Sequence, residues 1–199
     1  MDKMALFIDG GYLAKILRNE FDSAKIDFQK LQEFISAGST LFRTYYYICP
    51  TYRSDPPTDQ EKLVHANQTR FFNRLKLIPH FEIKFGILVK RDFSCDQCSY
   101  STMKFEQKRI DVLFAVDFVR SAWNRSIQRA AIIAGDGDFA PVVKDAKDAG
   151  VMVSLYYSRN SIARELHDVC DERYIIDQNF IGKIKQTPVY SPGSFINEQ

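Results

Sequence analysis

The stretch at residues 129–141, RAAIIAGDGDFAP, constrains the fold of this 199-residue chain more than any other. Its apolar run at residues 130–134 is short and ends at Gly135, which is typical of a strand buried on both faces of a parallel sheet. Apolar residues then recur at helical spacing. Asp136 and Asp138 therefore lie between the carboxyl end of a strand and a helix, where open α/β sheets bind ligands.

These two carboxylates lead to the first chemical hypothesis. Like charges this close repel each other unless a cation or a shared proton compensates them, and a divalent metal ion is the simplest such cation. A local alternative stays open, in which Asp138 caps the following helix and Asp136 forms an Asx turn.

Asp9 is a third candidate acid. The apolar run at residues 4–8 leads directly into Asp9 and two glycines. We expect this run to be a central strand that delivers Asp9 to the same sheet edge as Asp136. The glycine pair lacks the G-x-G-x-x-G spacing of a dinucleotide-binding turn, so a nucleotide cofactor is not indicated.

Residues 108–124, KRIDVLFAVDFVRSAWN, form a predicted amphipathic helix that contains two acids. Asp111 lies in the first turn, where the helix dipole favours an acid, and the same turn reaches the proposed edge if the helix follows a strand. Asp117 lies roughly 9 Å further along the axis and about 120° around it. We therefore expect Asp117 to support the site indirectly or to be structural.

The remaining pattern predicts one α/β domain over residues 1–180 and a C-terminal tail over residues 181–199, either poorly structured or docked. Residues 90–107 show the least regular pattern and are predicted to be irregular. The other predicted strands cover residues 41–49, 81–89, 151–157 and 174–176, and the other predicted helices cover residues 12–21, 28–37, 59–77 and 158–172.

Composition and cysteine content limit the class of protein. A formal net charge of +2 argues against a polybasic binder, and no signal peptide or long apolar segment is evident, so we expect a cytoplasmic protein without membrane contact. Cys95 and Cys98 form a C-x-x-C pair that can bind zinc with two further ligands. No second pair accompanies it, so inert thiols are favoured over zinc.

Three motifs together resemble the NYN domain, a PIN-like nuclease family that includes the LabA and DUF88 group. They are FIDGGYL at residues 7–13, KRIDVLFAVD at residues 108–117 and AGDGDF at residues 134–139. The resemblance extends over about residues 4–177. It implies a PIN-like three-layer sandwich, with a mostly parallel central sheet and helices on both faces, that cleaves RNA with Mg²⁺ or Mn²⁺.

The resemblance also implies roles for individual residues. Asp9, Asp111, Asp136 and Asp138 are the implied catalytic and metal-binding acids, and Asp117 matches a further recurrent acid. The chain departs from the family at three positions. Tyr12 stands where the family often has asparagine, and Ala134 and Gly137 stand where it often has serines.

Other residues are candidates for contact with RNA. Lys108, Arg109 and Arg159 lie near the predicted edge and can hold a phosphate backbone, although isolated basic residues are usually only solvated. Tyr12 can stack on a base or pack in the core. The sequence thus favours a metal-dependent endoribonuclease. A non-catalytic RNA-binding or scaffold module is the alternative, and a homodimer is left open.

Overall fold

The first strand lies near the middle of a six-stranded parallel sheet, as its apolar sequence predicts. The strands of the chain are β1 (Lys3–Asp9), β2 (Thr40–Ile48), β3 (Phe81–Phe85), β4 (Ile87–Ser94), β5 (Ser101–Lys108), β6 (Arg129–Ile133), β7 (Met152–Tyr157) and β8 (Glu172–Ile175). The order in the sheet is β3-β2-β1-β6-β7-β8, and every pairing is parallel. The strand order therefore reverses between β1 and β6, which is the point where such sheets bind ligands.

The computed structural model of the protein describes residues 1–94, 98 and 100–186. Cys98 is an exposed free thiol. Cys95 lies outside the described residues, so zinc binding by the C-x-x-C pair stays a prediction. The part of the predicted tail that begins at residue 187 also lies outside the described residues.

Helices cover both faces of this sheet. They are α1 (Gly10–Glu20), α2 (Phe28–Ile35), α3 (Asp59–Leu75), α4 (Ile110–Trp123), α5 (Ala140–Asp148), α6 (Arg164–Val169) and α7 (Gln178–Ile184). A single 3₁₀ turn, Gly137–Phe139, precedes α5. Within the described residues, no helix is both long and apolar enough to cross a membrane.

Two hydrophobic cores separate the helices into two layers. Leu6 and Ile8 of β1 point into the core that contains residues of α1, α2, α3 and α7. Ala5 and Phe7 point into the opposite core with residues of α4, α5 and α6. Because side chains of a strand alternate between faces, one fully apolar strand serves both cores. The predicted three-layer arrangement is confirmed.

The region after β3 differs from the prediction. The sequence predicts one strand over residues 81–89, whereas the chain leaves the sheet at Gly86. A Cβ at that position would lie 2.6 Å from Sγ of Cys49 and 2.8 Å from the Ile110 side chain, so only glycine allows this close passage. Residues 90–107 are predicted to be irregular but belong largely to an antiparallel ribbon of β4 and β5. Many side chains of this ribbon are exposed, so it lacks the apolar alternation that identifies a half-buried strand.

Two other boundaries also differ from the prediction. Helix α6 begins at Arg164, whereas the helix predicted over residues 158–172 begins earlier, because the N–H of Ala163 donates to the carbonyl oxygen of Gly135 at 2.9 Å. Helix α7 crosses the boundary predicted at residue 180, and its Ile181 and Ile184 are buried.

The packing of α4 leads to a stability prediction. Phe114 is fully buried, and its ring centroid lies 4.2 Å from that of Phe139 and 5.1 Å from that of Tyr47. We expect Phe114→Ala to lower the free energy of unfolding by about 3–5 kcal/mol, measured by urea denaturation. Val116→Ala, on the exposed side of the same helix, should change it by no more than about 0.5 kcal/mol. A loss below about 1 kcal/mol for Phe114→Ala would contradict this core.

Candidate active site

Asp9 is held at the sheet edge by the direct passage from β1 into α1. It caps the helix, since the N–H of Tyr12 donates to Oδ1 of Asp9 at 3.0 Å. The next residue must be glycine, because a Cβ on Gly10 would lie 2.6 Å from Cζ of Tyr46 and 2.8 Å from the carbonyl oxygen of Tyr47. The strand therefore turns into the helix without a loop, and the carboxylate of Asp9 is fixed at the end of the strand.

Asp136 and Asp138 lie in the turn that follows β6. Both are exposed, and the N–H of Asp138 donates to Oδ1 of Asp136 at 3.0 Å. The Asx turn of the local alternative is thus present at Asp136. Asp138 lies inside the 3₁₀ turn and does not cap α5. Among the described hydrogen bonds, the turn occupies only Oδ1 of Asp136. The Asx turn is therefore compatible with metal binding by Asp136.

Asp111 lies in the first turn of α4, directly after the ribbon. Arg109 precedes this helix with a left-handed backbone, at φ +76°, and makes no side-chain capping bond. The acid is the only one in the first turn of this helix, where the unpaired N–H groups favour negative charge.

The pKa values of these acids show that they are electrostatic neighbours. Burial raises the pKa of Asp9, and the charges of Asp111 and Asp136 raise it further, although N–H groups of the α1 turn act in the opposite direction. Partial burial also raises the pKa of Asp111, followed by the charges of Asp136 and Asp138. Asp111 therefore lies within electrostatic range of Asp9, Asp136 and Asp138, and Asp9 lies within range of Asp136.

The charges of this cluster are not neutralised within the described chain. None of the four carboxylates forms an ion pair with a described lysine, arginine or histidine. The cluster thus fits a divalent cation in charge and donor type. No three described His, Cys, Asp or Glu side chains form a ready-made metal cage. This arrangement is compatible with Mg²⁺, which usually uses one or two carboxylates and keeps several waters.

Asp117 is separate from this cluster and has its own partners. The Tyr47 hydroxyl donates to Oδ2 of Asp117 at 3.2 Å, and Nζ of Lys84 lies 3.5 Å from the same oxygen. Burial and the neighbouring Asp117 raise the pKa of Tyr47 above its ordinary value. These contacts favour the structural alternative for Asp117, as a paired acid between α4 and the sheet.

Tyr12 packs in the core and positions the neighbouring loop. Its hydroxyl accepts a hydrogen bond from the N–H of Ser158 at 2.9 Å, and burial raises its pKa to about 12. A Cβ on Gly135 would collide with the Tyr12 ring and with the carbonyl oxygen of Ser161. The packing alternative for Tyr12 therefore holds. Its ring packs against Gly135, immediately before Asp136, and its hydroxyl holds the backbone at Ser158.

The three residues predicted to contact phosphate lie at the ends of strands or in the segments that follow them. Lys108 is exposed at the base of the ribbon, and its Nζ lies 3.0 Å from Oε2 of Glu106. Arg109 is exposed at the start of α4, and Arg159 is exposed in the loop after β7. Their contact with RNA stays a prediction.

Sequence reasoning misses two polar residues at the site. A Cβ on Gly137 would lie 3.0 Å from Oε2 of Glu165, so this carboxylate adjoins the turn that carries Asp138. A Cβ on Gly11 would lie 3.3 Å from Oδ1 of Asp9 and 3.9 Å from Oε1 of Gln107. The sequence does not indicate Glu165 because α6 begins later than predicted, and it does not indicate Gln107 because the ribbon is not predicted. The available signal for Glu165 is that a helix after β7 must begin at the same edge.

The fold and the acidic edge define the class of protein as PIN-like. The family model of the NYN domain matches residues 3–178, nearly the whole chain. The chain therefore belongs to the NYN domain family, within the PIN-like nuclease superfamily. This confirms the resemblance, and the family indicates a nucleic-acid substrate.

A solved structure of similar architecture supports the fold. A protein of unknown function, VPA0982 from Vibrio parahaemolyticus, is similar with a TM-score of 0.67 and 18% identity, over 90% of this chain and 95% of that chain. At this identity the likeness shows the fold alone. A putative oxidoreductase from Parabacteroides merdae gives a TM-score of 0.32 and 11% identity, over 88% of this chain and 31% of that chain, which carries no inference. No curated protein sequence matches the chain significantly.

The raised pKa of Asp111 predicts a pH-dependent stability change. A carboxyl with a raised folded-state pKa stabilises the fold below its unfolded pKa, and this stabilisation is lost as the pH rises through the folded pKa. We expect Asp111→Asn, in EDTA, to gain stability relative to the parent between about pH 4 and about pH 7. Chemical denaturation at both pH values measures this difference.

Asp168→Asn is the matched control for this experiment. The hydrogen bond with His167 and the ion pair with Arg164 lower the pKa of Asp168, so this variant should lose relative stability over the same pH range. If Asp111→Asn also loses relative stability, the helix dipole outweighs the repulsion among the acids, and the electrostatic description of the site is wrong.

Proposed function

We propose that this protein is a Mg²⁺- or Mn²⁺-dependent endoribonuclease that hydrolyses RNA at the acidic edge formed by Asp9, Asp111, Asp136 and Asp138. The observation that carries the proposal is a group of mutually repelling carboxylates, without described cationic partners, at the switch point of the sheet. Membership of a nuclease superfamily supports the same chemistry. Exposed acids on an open edge suit an internal segment of a polynucleotide.

The described residues have distinct roles in this proposal. Asp9, Asp111 and Asp136 would hold one or two hydrated ions, directly or through bound water, and Asp138 would bind a second ion or orient the attacking water. When bound, a divalent ion supplies charge neutralisation, polarisation of the scissile phosphate and activation of water. Asp9 and Asp136 each have one oxygen fixed by a backbone N–H, which orients the carboxylate before substrate binds.

Basic residues around the edge complete the proposed substrate site. Lys108 and Arg109 lie at the junction of the ribbon and α4, and Arg159 lies in the loop after β7. We assign them to phosphate contacts, which position the strand without reading its sequence. The described cysteines are free thiols, which favours a reducing compartment, and we include a cytoplasmic location in the proposal.

A non-catalytic RNA-binding or scaffold module is the second candidate function. It is favoured by one observation, that no three described acids, histidines or cysteines form a ready-made metal cage. In that case the protein would keep the four acids at the edge but would not hydrolyse RNA. The two functions differ in whether an acid at the edge is required for cleavage.

Asp136→Asn separates the two functions. We expect cleavage of mixed single-stranded and hairpin RNA in Mn²⁺ to fall by about 100-fold or more, because even indirect changes around a metal ligand cost about 10–100-fold. RNA binding in EDTA should persist, since removal of a negative charge cannot weaken attraction to phosphates. Cleavage is measured by gel electrophoresis of end-labelled RNA.

The matched control is Asp148→Asn, which makes the same change on the exposed end of α5. Its cleavage rate should equal that of the parent. A folded Asp136→Asn protein that cleaves at the parent rate would refute the proposed mechanism. A parent that binds RNA but does not cleave it would favour the binding module.

A further inference from the structure

The ribbon of β4 and β5 has two faces of different character. Residues directly opposite each other in an antiparallel pair share a face, and Leu88 pairs with Gln107 while Lys90 pairs with Phe105. These four residues define the Gln107 face. Arg91 and Lys108 belong to the opposite face, where both form ion pairs with Glu106, at 3.1 Å and 3.0 Å.

The Gln107 face is continuous with the acidic edge. Oε1 of Gln107 and Oδ1 of Asp9 both lie close to the position of a Cβ on Gly11. Phe105 lies two residues further out on the same face, about 7 Å along the strand. A chain bound at Asp9 would therefore meet Gln107 first and Phe105 next.

An exposed aromatic pair lies on this face. The rings of Tyr52 and Phe105 are 4.5 Å apart, and the two residues remain 38% and 44% exposed. Tyr52 belongs to the segment between β2 and α3, so two separate parts of the chain contribute to the pair. Exposed aromatic rings offer a surface on which unpaired bases stack.

Lys90 supplies an available positive charge beside the aromatic pair. It lies opposite Phe105 in the ribbon and is exposed. No described acid forms an ion pair with it, in contrast to Arg91 and Lys108 on the other face. The Gln107 face thus combines aromatic rings with a lysine that forms no ion pair with a described acid, and aromatic rings beside a positive charge are the combination that binds single-stranded nucleic acid.

We propose that the Gln107 face and Tyr52 bind the single-stranded RNA segment that adjoins the cleaved bond. The proposal deepens the proposed function and rests on it. Bases about two nucleotides from the acidic edge stack on Phe105 and Tyr52, given a rise of roughly 3.4 Å per stacked nucleotide. Lys90 contacts phosphate, and Gln107 bonds to the intervening nucleotide. A continuous duplex is excluded from this surface because its bases already stack on each other.

The test is fluorescence anisotropy of the full chain with a labelled single-stranded RNA of mixed sequence, about 12 nucleotides long, in EDTA. We expect Phe105→Ala and Tyr52→Ala each to weaken binding by about fivefold or more. The matched control is Tyr174→Ala, since Tyr174 is 44% exposed and stacks on Tyr156 at the opposite edge strand. It should bind like the parent.

Salt dependence tests the contribution of charge separately. The slope of log affinity against log salt concentration is negative, and Lys90→Gln should reduce its magnitude by roughly 0.7, the value for one phosphate contact of a single strand. Arg91→Gln, on the opposite face and paired with Glu106, should leave the slope unchanged. This arm stands even if an aromatic variant fails to fold.

The outcomes distinguish this proposal from the proposed function. Parent-like binding by Phe105→Ala, Tyr52→Ala and Lys90→Gln would overturn the role of the ribbon, whereas cleavage that depends on Asp136 would still stand. An equal loss of binding to a fully paired hairpin would also overturn it. Weakened single-strand binding in a protein that does not cleave RNA would support the binding surface and refute the nuclease.

Discussion

The contact between Phe114 and Phe139 holds the acidic edge together. Their ring centroids are 4.2 Å apart, and both side chains are almost completely buried. Phe114 lies one helical turn after Asp111, and Phe139 directly follows Asp138. Burial of each ring contributes about 1.5–3 kcal/mol, whereas repulsion among the exposed Asp111, Asp136 and Asp138 costs about 1 kcal/mol or less per pair. Partial burial of Asp9 adds a desolvation cost. Hydrophobic packing can therefore keep like charges together without a bound cation.

A second set of contacts fixes the other side of the edge. Tyr12 spans from the start of α1 to the N–H of Ser158, and its ring fills the space that a side chain on Gly135 would need. Both acids, Asp9 and Asp136, are therefore tied to Tyr12. Asp9 accepts a hydrogen bond from the N–H of Tyr12, and Asp136 directly follows Gly135, which packs against the Tyr12 ring. Sites held by strand ends and buried rings require little rearrangement when a ligand binds.

Much of the fold and of the acidic cluster follows from the sequence, because fully buried strands such as β1 and β6 are continuous apolar runs and their ends place Asp9 and Asp136. The ribbon is not predictable in this way, since its exposed strands carry no apolar pattern. The structural role of Asp117 depends on Tyr47 and Lys84, which are distant in the sequence. Glu165 is missed because a backbone bond from the loop to Gly135 sets the start of α6.

Calorimetric titration of the full chain with Mn²⁺ measures whether the acidic cluster binds a divalent cation. We expect saturable binding to the parent, strongly weakened in both Asp9→Asn and Asp136→Asn, because the two acids belong to one site. Asp117→Asn, if folded, should bind nearly as well as the parent, since Asp117 is paired with Tyr47 and Lys84. Absence of Mn²⁺ binding by the parent, or equal binding by all variants, would show that these acids do not form a metal site.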